Sequence, residues 1–213
     1  MKTAKDLVIP YTWEQRRPIL LDRILYVPTP FDHKRLDFQF FDDPQPVVIE
    51  FCSGNGQWIC EKAKENPHLN WIAVEKRFER ARQIWLKMHR QNIPNLFVVC
   101  GEALIFTRFY AKPASEIYIN FPDPWPKWRH AKHRLITQEF TEALLQLIPS
   151  GGKVFCATDD ERYSVQMVDE FKKVPSYQFL FKLNEWPEYG SSFFKELWKQ
   201  KGRTIHYLAH EKL

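Results

Sequence analysis

The sequence predicts an α/β protein with a doubly wound, mostly parallel sheet of seven strands, one of them antiparallel near the end. Short apolar runs alternate with segments of helical periodicity, which is the pattern of successive βαβ units. Acidic residues follow several of these apolar runs, at the sheet edge where such folds bind ligands. The predicted strands are residues 47–51, 69–75, 96–100, 116–119, 153–158, 177–183 and 204–209.

The composition is that of a folded domain without a membrane segment. The chain has 213 residues, 44% hydrophobic and 15% aromatic, which excludes disorder as the overall class. It has no run of 18 apolar residues, and its first ten residues lack the apolar core of a signal peptide. Its four cysteines show no CxxC spacing, so we expect free thiols, no metal site and a cytoplasmic location.

We divide the chain into an N-terminal extension, residues 1–45, and a domain over residues 46–213. The extension carries little periodic signal, and we expect it to pack on the domain. Its segment 11–18 mixes basic and aromatic residues, which suit contact with RNA and packing on the domain about equally.

The first strand of the domain carries Glu50 near its end and leads into a turn with two glycines, Gly54 and Gly56, on either side of Asn55. A helix is predicted to follow over residues 58–64. Glycines let the backbone approach a ligand closely, and the helix start directs free amide groups at it. This turn is not the GxGxxG of dinucleotide-binding proteins. A carboxylate beside it favours a cationic ligand, such as an ammonium or a sulfonium group.

The next two strands also lead to acids, Glu75 and Glu102. In nucleotide-binding α/β folds an acid at the end of the second strand binds ribose hydroxyls, and Glu102 stands where an adenine-side acid is common. A solvated glutamate is an equally good interpretation of Glu75 taken alone. An amphipathic helix is predicted between these strands, over residues 77–91.

The fourth strand runs into a stiff basic loop, residues 119–134. Prolines at 122, 124 and 126 restrict its backbone, and Asp123 is its one acid. Its two tryptophans, Trp125 and Trp128, suit either stacking on a base or packing in the core, and we favour packing. A solvated proline-rich connector is the alternative. The loop also carries a cluster of basic residues suited to binding RNA phosphates: Lys127, Arg129, Lys132 and Arg134.

Helices are predicted over residues 135–148 and 161–173. Asp159 and Asp160 precede the second of these, and we expect one of them to cap it. The aromatic and basic segment 191–202 gives no decisive signal for its own fold.

With these residues identified, the chain resembles the bacterial tRNA (guanine-N7-)-methyltransferase family, over roughly residues 45–210. The most specific part is the segment Asn120-Phe-Pro-Asp-Pro-Trp-Pro-Lys127, followed by Arg129, His130, Lys132 and Arg134. The resemblance implies a Rossmann-like class I methyltransferase fold and S-adenosylmethionine as methyl donor. It also implies tRNA as substrate.

Roles for individual residues follow from the same resemblance. It implies that Glu50, Glu75, Glu102 and the backbone of residues 54–56 bind the donor, and that Asp123, beside the donor, is the catalytic or substrate-orienting acid. Implied RNA contacts come from Lys127, Asp159 and the segment that begins near Ser192 and includes Lys195.

The chain departs from the family pattern at three places. The glycine turn reads Glu50-Phe-Cys-Ser-Gly54 where the family has E-I-G-x-G, and Glu102 replaces the commoner aspartate. Lys195 stands where the family motif T-x-x-E has an acid, and neighbouring Glu196 is a candidate replacement.

Two other functions fit the same residues. One is a class I methyltransferase that acts on another RNA or on a non-RNA substrate, and the other is a non-catalytic RNA-binding subunit. The retained acids and glycines favour an enzyme. The sequence leaves a monomer and a homodimer open, and it requires no protein partner.

Overall fold

The computed structural model describes residues 18–28 and 39–213 and shows one mixed sheet with helices on both faces. The strands found there are β1 Ile19–Leu21, β2 Ile24–Tyr26, β3 Val47–Phe51, β4 Asn70–Glu75, β5 Leu96–Cys100, β6 Glu116–Asn120, β7 Lys153–Thr158, β8 Tyr177–Leu183 and β9 His206–Lys212. The α-helices are α1 Gln57–Glu65, α2 Phe78–Arg90, α3 Ala103–Phe109, α4 Gln138–Leu144, α5 Glu161–Lys172 and α6 Phe193–Gln200, and two 3-10 turns span Trp128–His133 and Pro187–Tyr189.

The strand order is β1-β2-β5-β4-β3-β6-β7-β9-β8. Strands β3 to β7 run parallel to one another, and β9 runs antiparallel to both β7 and β8. The predicted seven-stranded arrangement with one antiparallel strand is therefore confirmed for β3 to β9. From the central strand β3 the chain fills one side through β4 and β5, then crosses to β6 and β7. The strand order thus reverses between β3 and β6, which is where ligands bind in such sheets.

The sheet is larger than predicted because a hairpin, β1 and β2, adds to its edge. Strand β2 pairs parallel with β5, and the hairpin turn is held by Arg23, whose Nη1 donates to the carbonyl of Ile93 at 2.7 Å. Each of these strands has three residues, too few for an alternating pattern to be read from the sequence. The division of the chain at residue 45 stays a prediction, and segment 11–17 lies outside the described residues.

The two faces of the sheet carry separate apolar cores. Strands buried on both faces read as continuous apolar runs, as in β4, where every residue is buried. One core contains buried residues of α3, α4 and α5, including Phe106, Phe140 and Phe171. The other contains buried residues of α1 and α2, including Trp58 and Ile84. No helix in residues 18–28 and 39–213 is long and apolar enough to cross a membrane.

Most predicted helices are present, with changes at their ends that follow from capping. Helix α4 begins at Gln138 rather than at 135, because the Thr137 hydroxyl accepts a hydrogen bond from the amide of Phe140 and starts the helix there. The prediction that one of Asp159 and Asp160 caps the next helix is confirmed: Asp160 accepts from the amide of Tyr163 at 2.8 Å. Segment 193–200, whose fold the sequence left open, is helix α6.

Candidate active site

A pocket lies where β3 and β6 end, at the point where the strand order reverses. It holds about 250 Å³ of empty space, counting its open mouth. Its walls come from the end of β3 and the glycine turn, from the end of β6, and from the segment that leads into α6. The lining residues include Glu50, Cys52, Ser53, Asn55, Asn120, Phe121, Ser192, Phe193 and Phe194.

Glu50 is a buried acid with one free oxygen in this pocket. The residue is 2% exposed, and its Oε1 accepts a hydrogen bond from Nδ2 of Asn120 on the neighbouring strand at 2.7 Å. Its Oε2 has no hydrogen-bond partner among the described residues. Burial raises the pKa of Glu50 to about 7, while the bond from Asn120 acts in the opposite direction. A cation or a hydrogen-bond donor placed at Oε2 would complete this carboxylate.

The glycine turn is shaped by positions that side chains would disrupt. Gly54 and Gly56 have φ of +56° and +73°, and Gly56 is the first residue before helix α1. A Cβ on Gly56 would lie 2.7 Å from Cγ1 of Ile84 on α2. Cys52, at φ +63°, also adopts the left-handed conformation, where the chain leaves β3. The two glycines adopt these angles without strain, whereas Cys52 adopts its angle at some cost in strain.

Glu75 holds the glycine turn through the backbone. Its Oε2 accepts from the amide of Gly54, and its Oε1 from the amide of Arg77, each at 2.8 Å. Burial raises its pKa, and these two bonds oppose the rise. Glu102 lies beyond the next strand, β5, and forms an ion pair with Lys76 at 2.9 Å. The three acids thus stand at the ends of β3, β4 and β5 in the order that the sequence predicts.

Helix α6 covers the glycine turn with an aromatic ring. A Cβ on Gly54 would lie 3.0 Å from Cε2 of Phe194. The Phe194 ring also lies 6.0 Å from that of Phe121 and 5.6 Å from the guanidinium carbon of Arg80. The role of Phe194 could not be predicted from the sequence, because an aromatic residue in an amphipathic helix carries no signal of this long-range contact.

Ser192 and Lys195, predicted to contact the substrate, lie at the start of α6. Ser192 is buried, and its hydroxyl accepts from the amide of Lys195 at 3.1 Å, which caps the helix. The Lys195 ammonium donates to the carbonyl of Gly190 and lies 5.8 Å from the ring of Tyr189. Burial lowers the pKa of Lys195. Both side chains therefore hold this wall of the pocket together.

Asp123 is exposed beyond the end of β6, in the loop that begins with the left-handed residue Phe121 at φ +48°. Its negative charge raises the pKa of the Cys52 thiol, which follows the end of β3. The pKa of Cys52 is raised first by burial, then by the charges of Glu75, Asp123 and Glu50. Three of the predicted site acids are thus close enough to act on one thiol.

The basic loop divides into exposed cations and one anchored cation. Lys127, Arg129 and Lys132 are exposed around the 3-10 turn, whereas Arg134 is half-buried. The expectation that Trp125 packs in the core is wrong, since it is 38% exposed and contacts the rings of two histidines. It lies between two prolines at φ +43°, and the two histidines belong to the 3-10 turn that follows, so the ring packs within the loop rather than in the core. The side chain of Trp128 lies outside the described part of the structure.

Asp159 follows β7 and pairs with Arg203, and its side chain is 6% exposed. The Arg203 guanidinium also lies 4.3 Å from the ring of Trp198 on α6. This pairing with Arg203 could not be predicted, because the two residues are 44 positions apart in the chain. Asp159 is therefore placed by the segment that leads out of α6.

The arrangement suits a cationic ligand with a sugar. A free carboxylate oxygen of Glu50, a turn open to close approach, and acids after the next two strands are gathered at one sheet edge. Within residues 18–28 and 39–213 no three His, Cys, Asp or Glu side chains form a group that could hold a metal ion. The exposed cations of the basic loop flank the same edge, where they could meet a polyanion.

Comparison with known proteins identifies the family of this chain. A family model described as "Putative methyltransferase" matches residues 44–208. A tRNA (guanine-N(7)-)-methyltransferase of Chlamydia felis is 42% identical over 95% of this chain and 94% of its own length. One of Chlamydia trachomatis is 40% identical over 94% of each chain. One of Staphylococcus aureus is 34% identical over 62% of this chain and 64% of its own.

Solved structures support the fold. The 16S rRNA methyltransferase KamB superposes with a TM-score of 0.61 at 14% identity, over 79% of this chain and 89% of its own. TrmN from Thermus thermophilus superposes with a TM-score of 0.56 at 17% identity, over 80% of this chain and 45% of its own. At these identities the likeness concerns the fold alone, a Rossmann-like methyltransferase sheet.

Proposed function

Because the chain belongs to the tRNA (guanine-N(7)-)-methyltransferase family, we propose that it transfers a methyl group from S-adenosylmethionine to N7 of a guanine in the variable loop of tRNA. The observation that carries this proposal is the free Oε2 of buried Glu50 in a pocket beside the loop of Asp123. The names of the relatives supply the substrate and the position of the methyl group. The cytoplasm, which holds the tRNA pool, is the proposed location.

The residues at the sheet edge fit the methyl donor. Glu50 would accept the donor's cationic amino-acid part at its free oxygen, and residues 54–56 allow the close approach that this requires. Glu75 and Glu102 would serve the ribose and the adenine side, with Glu75 also holding the turn through Gly54. When bound, S-adenosylmethionine supplies a methyl group that is already activated on a sulfonium sulfur.

Asp123 is assigned to the guanine. N7 of guanine carries an in-plane lone pair and attacks without losing a proton, so the chain need not supply a general base. An acid in this place can accept hydrogen bonds from the base edge and orient the ring for in-line attack. Its negative charge also favours the positive charge that the ring acquires as the methyl arrives.

The exposed cations of the basic loop are assigned to RNA phosphates. Lys127, Arg129 and Lys132 project from the segment that directly follows Asp123. Phosphate contacts of this kind release counterions, so tRNA affinity should fall as salt rises. Substrate contacts at Asp159, Ser192 and Lys195 are also proposed. Ser192 lines the pocket, Lys195 follows it in the first turn of α6, and Asp159 pairs with Arg203 in the segment that leads out of α6.

The test is a methylation assay that also locates the product. The protein is incubated with labelled S-adenosylmethionine and bulk tRNA, and the RNA is then cleaved by the borohydride–aniline chemistry selective for N7-methylguanine. We expect label in the RNA and a single cut in the variable loop. Asp123→Ala should lose both signals, whereas Asp169→Asn, an exposed acid on α5, should retain them.

The other outcomes separate the alternatives. Label in RNA without the cut would keep the methyltransferase and reject N7 of a variable-loop guanine. Saturable donor binding without label would point to another substrate. A protein that neither binds the donor nor labels tRNA would support a non-catalytic RNA-binding subunit.

A further inference from the structure

We propose that Arg134 is a positioning residue that fixes the loop carrying Asp123, rather than one of the cations that bind RNA phosphates. This inference deepens the proposed function and rests on it. The sequence alone groups Arg134 with Lys127, Arg129 and Lys132 as a phosphate ligand. The structure separates Arg134 from these three by its burial and by its contacts.

The guanidinium of Arg134 makes three contacts with the protein itself. Its Nε donates to the carbonyl of Pro124 at 2.7 Å, and its Nη1 donates to Oε1 of Gln166 on α5. Its guanidinium carbon lies 4.9 Å from the ring of Tyr163, also on α5. Arg134 is half-buried, while the other three cations are exposed.

The contact with Pro124 bears directly on Asp123. The carbonyl belongs to Pro124, the residue that follows Asp123, so a bond to it fixes the Pro124–Trp125 peptide group one residue beyond the acid. Three prolines in residues 122–126 remove three backbone donors, which limits the hydrogen bonds by which this segment can fix itself. A side chain ten residues later closes the loop instead.

The other end of this link is anchored in the core. Tyr163 is fully buried, and its hydroxyl accepts from the amide of Ile136 at 3.0 Å. Helix α5 is fixed at its start by the cap at Asp160. Arg134 therefore ties the loop to a rigid element, which is how a reacting group is held within the tolerance that catalysis demands.

Arginine suits this role for a geometric reason. Its planar group presents donors in several directions, so one side chain reaches Pro124 and Gln166 at once. A lysine keeps the positive charge but has one nitrogen on a flexible stem. Arg134→Lys therefore distinguishes a role that needs only positive charge from a role that needs simultaneous hydrogen bonds to Pro124 and Gln166.

The experiment compares the rate of the methyl transfer step with the affinity for tRNA. In single-turnover assays with saturating donor and tRNA, Arg134→Lys should lower the rate by about 10- to 100-fold. Its tRNA dissociation constant should change by less than about 3-fold, and the slope of log affinity against log salt should not change. Gln166→Leu, which removes the other end of the link without altering charge, should lower the same rate.

Two controls define the alternative. Lys132→Gln removes an exposed cation and should reduce the salt slope by about 1. Arg90→Lys, a charge-conserving change of an exposed residue on α2, should match the wild type throughout. The proposal is overturned if Arg134→Lys and Gln166→Leu keep the wild-type rate while Arg134→Gln reduces the salt slope as Lys132→Gln does.

Amide hydrogen exchange provides a second test, which does not depend on methyltransferase activity. Amide hydrogen exchange in peptides covering residues 119–134 should be faster in Arg134→Lys and Gln166→Leu than in the wild type. Unchanged exchange in both variants would reject the link. If the wild type methylates no tRNA while exchange responds as expected, then the proposed function fails and the loop anchor stands.

Discussion

Replacing Glu50 by glutamine should make the donor-free protein more stable and a poorer binder of the donor. Glutamine has nearly the same size and keeps an oxygen that accepts from Asn120, but it carries no charge. In the wild type the buried carboxylate has one unpartnered oxygen, and burial raises its pKa from 4.5 to about 7. The ionised acid therefore destabilises the empty protein.

The direction and the size of the change in folding stability follow from this pKa. Between pH 4.5 and about 7 the folded protein retains a proton that the unfolded chain releases, so stability falls as pH rises. The difference between the two values corresponds to about 3 kcal/mol, fully developed above pH 7. At pH 8 Glu50→Gln should gain about that much over the wild type, and at pH 5 only about 1 kcal/mol.

The assay is urea denaturation of both proteins between pH 5 and pH 8, without donor, together with calorimetric titration of S-adenosylmethionine. Glu61→Gln, an exposed acid on α1, is the matched control and should leave both quantities unchanged. If Glu50→Gln is no more stable than the wild type at pH 8 and shows the same pH dependence, then Glu50 is not a destabilised buried acid. Undiminished donor affinity in the variant would show that its charge does not serve the donor.

Two further stability predictions use other parts of the fold. Burial lowers the pKa of His210 to about 4, so the folded protein keeps it neutral while the unfolded chain gains a proton below pH 6.5. Stability should therefore fall by up to about 3 kcal/mol as pH drops from 6.5 to 4, and His210→Phe should remove this part of the acid sensitivity in urea titrations. Gly56→Ala should cost about 2–3 kcal/mol in thermal unfolding, because its Cβ would meet Ile84 at 2.7 Å and its φ is +73°. Gly202→Ala, at φ +71° with nothing within 4 Å of the added Cβ, should cost only about 1 kcal/mol, and equal losses at both glycines would contradict the packing argument.

The central sheet could be predicted because its signals are local. Strands β3, β4 and β5 are largely apolar runs in which every residue except Val47 is buried. The acids at and after their ends meet at one edge by the geometry of parallel strands. The hairpin β1–β2 could not be predicted, because three-residue strands carry no periodicity and join the sheet only through pairing with β5. Helix α6 could not be predicted, because its aromatic residues are equally compatible with a core position and with a surface position.

The residues that contact the site side chains could not be predicted from the sequence. Glu75 uses both oxygens on backbone amides, and one of these amides, that of Gly54, lies 21 residues away. Asp159 pairs with Arg203 across 44 residues, and Arg134 turns from the loop toward α5. Residue type and spacing identify which side chains can do chemistry. Which of them the fold engages in its own contacts depends on packing between distant segments.

Methylation of two matched tRNA transcripts tests the central claim most directly. One transcript is unmodified, and in the other every guanine is replaced by 7-deazaguanine, which has carbon in place of N7 and keeps the base-pairing edge. With the purified protein and labelled S-adenosylmethionine, we expect label in the first transcript and none in the second, while the second still competes for binding. Equal labelling of both transcripts would show that the methyl group goes to another atom and would contradict the proposed reaction.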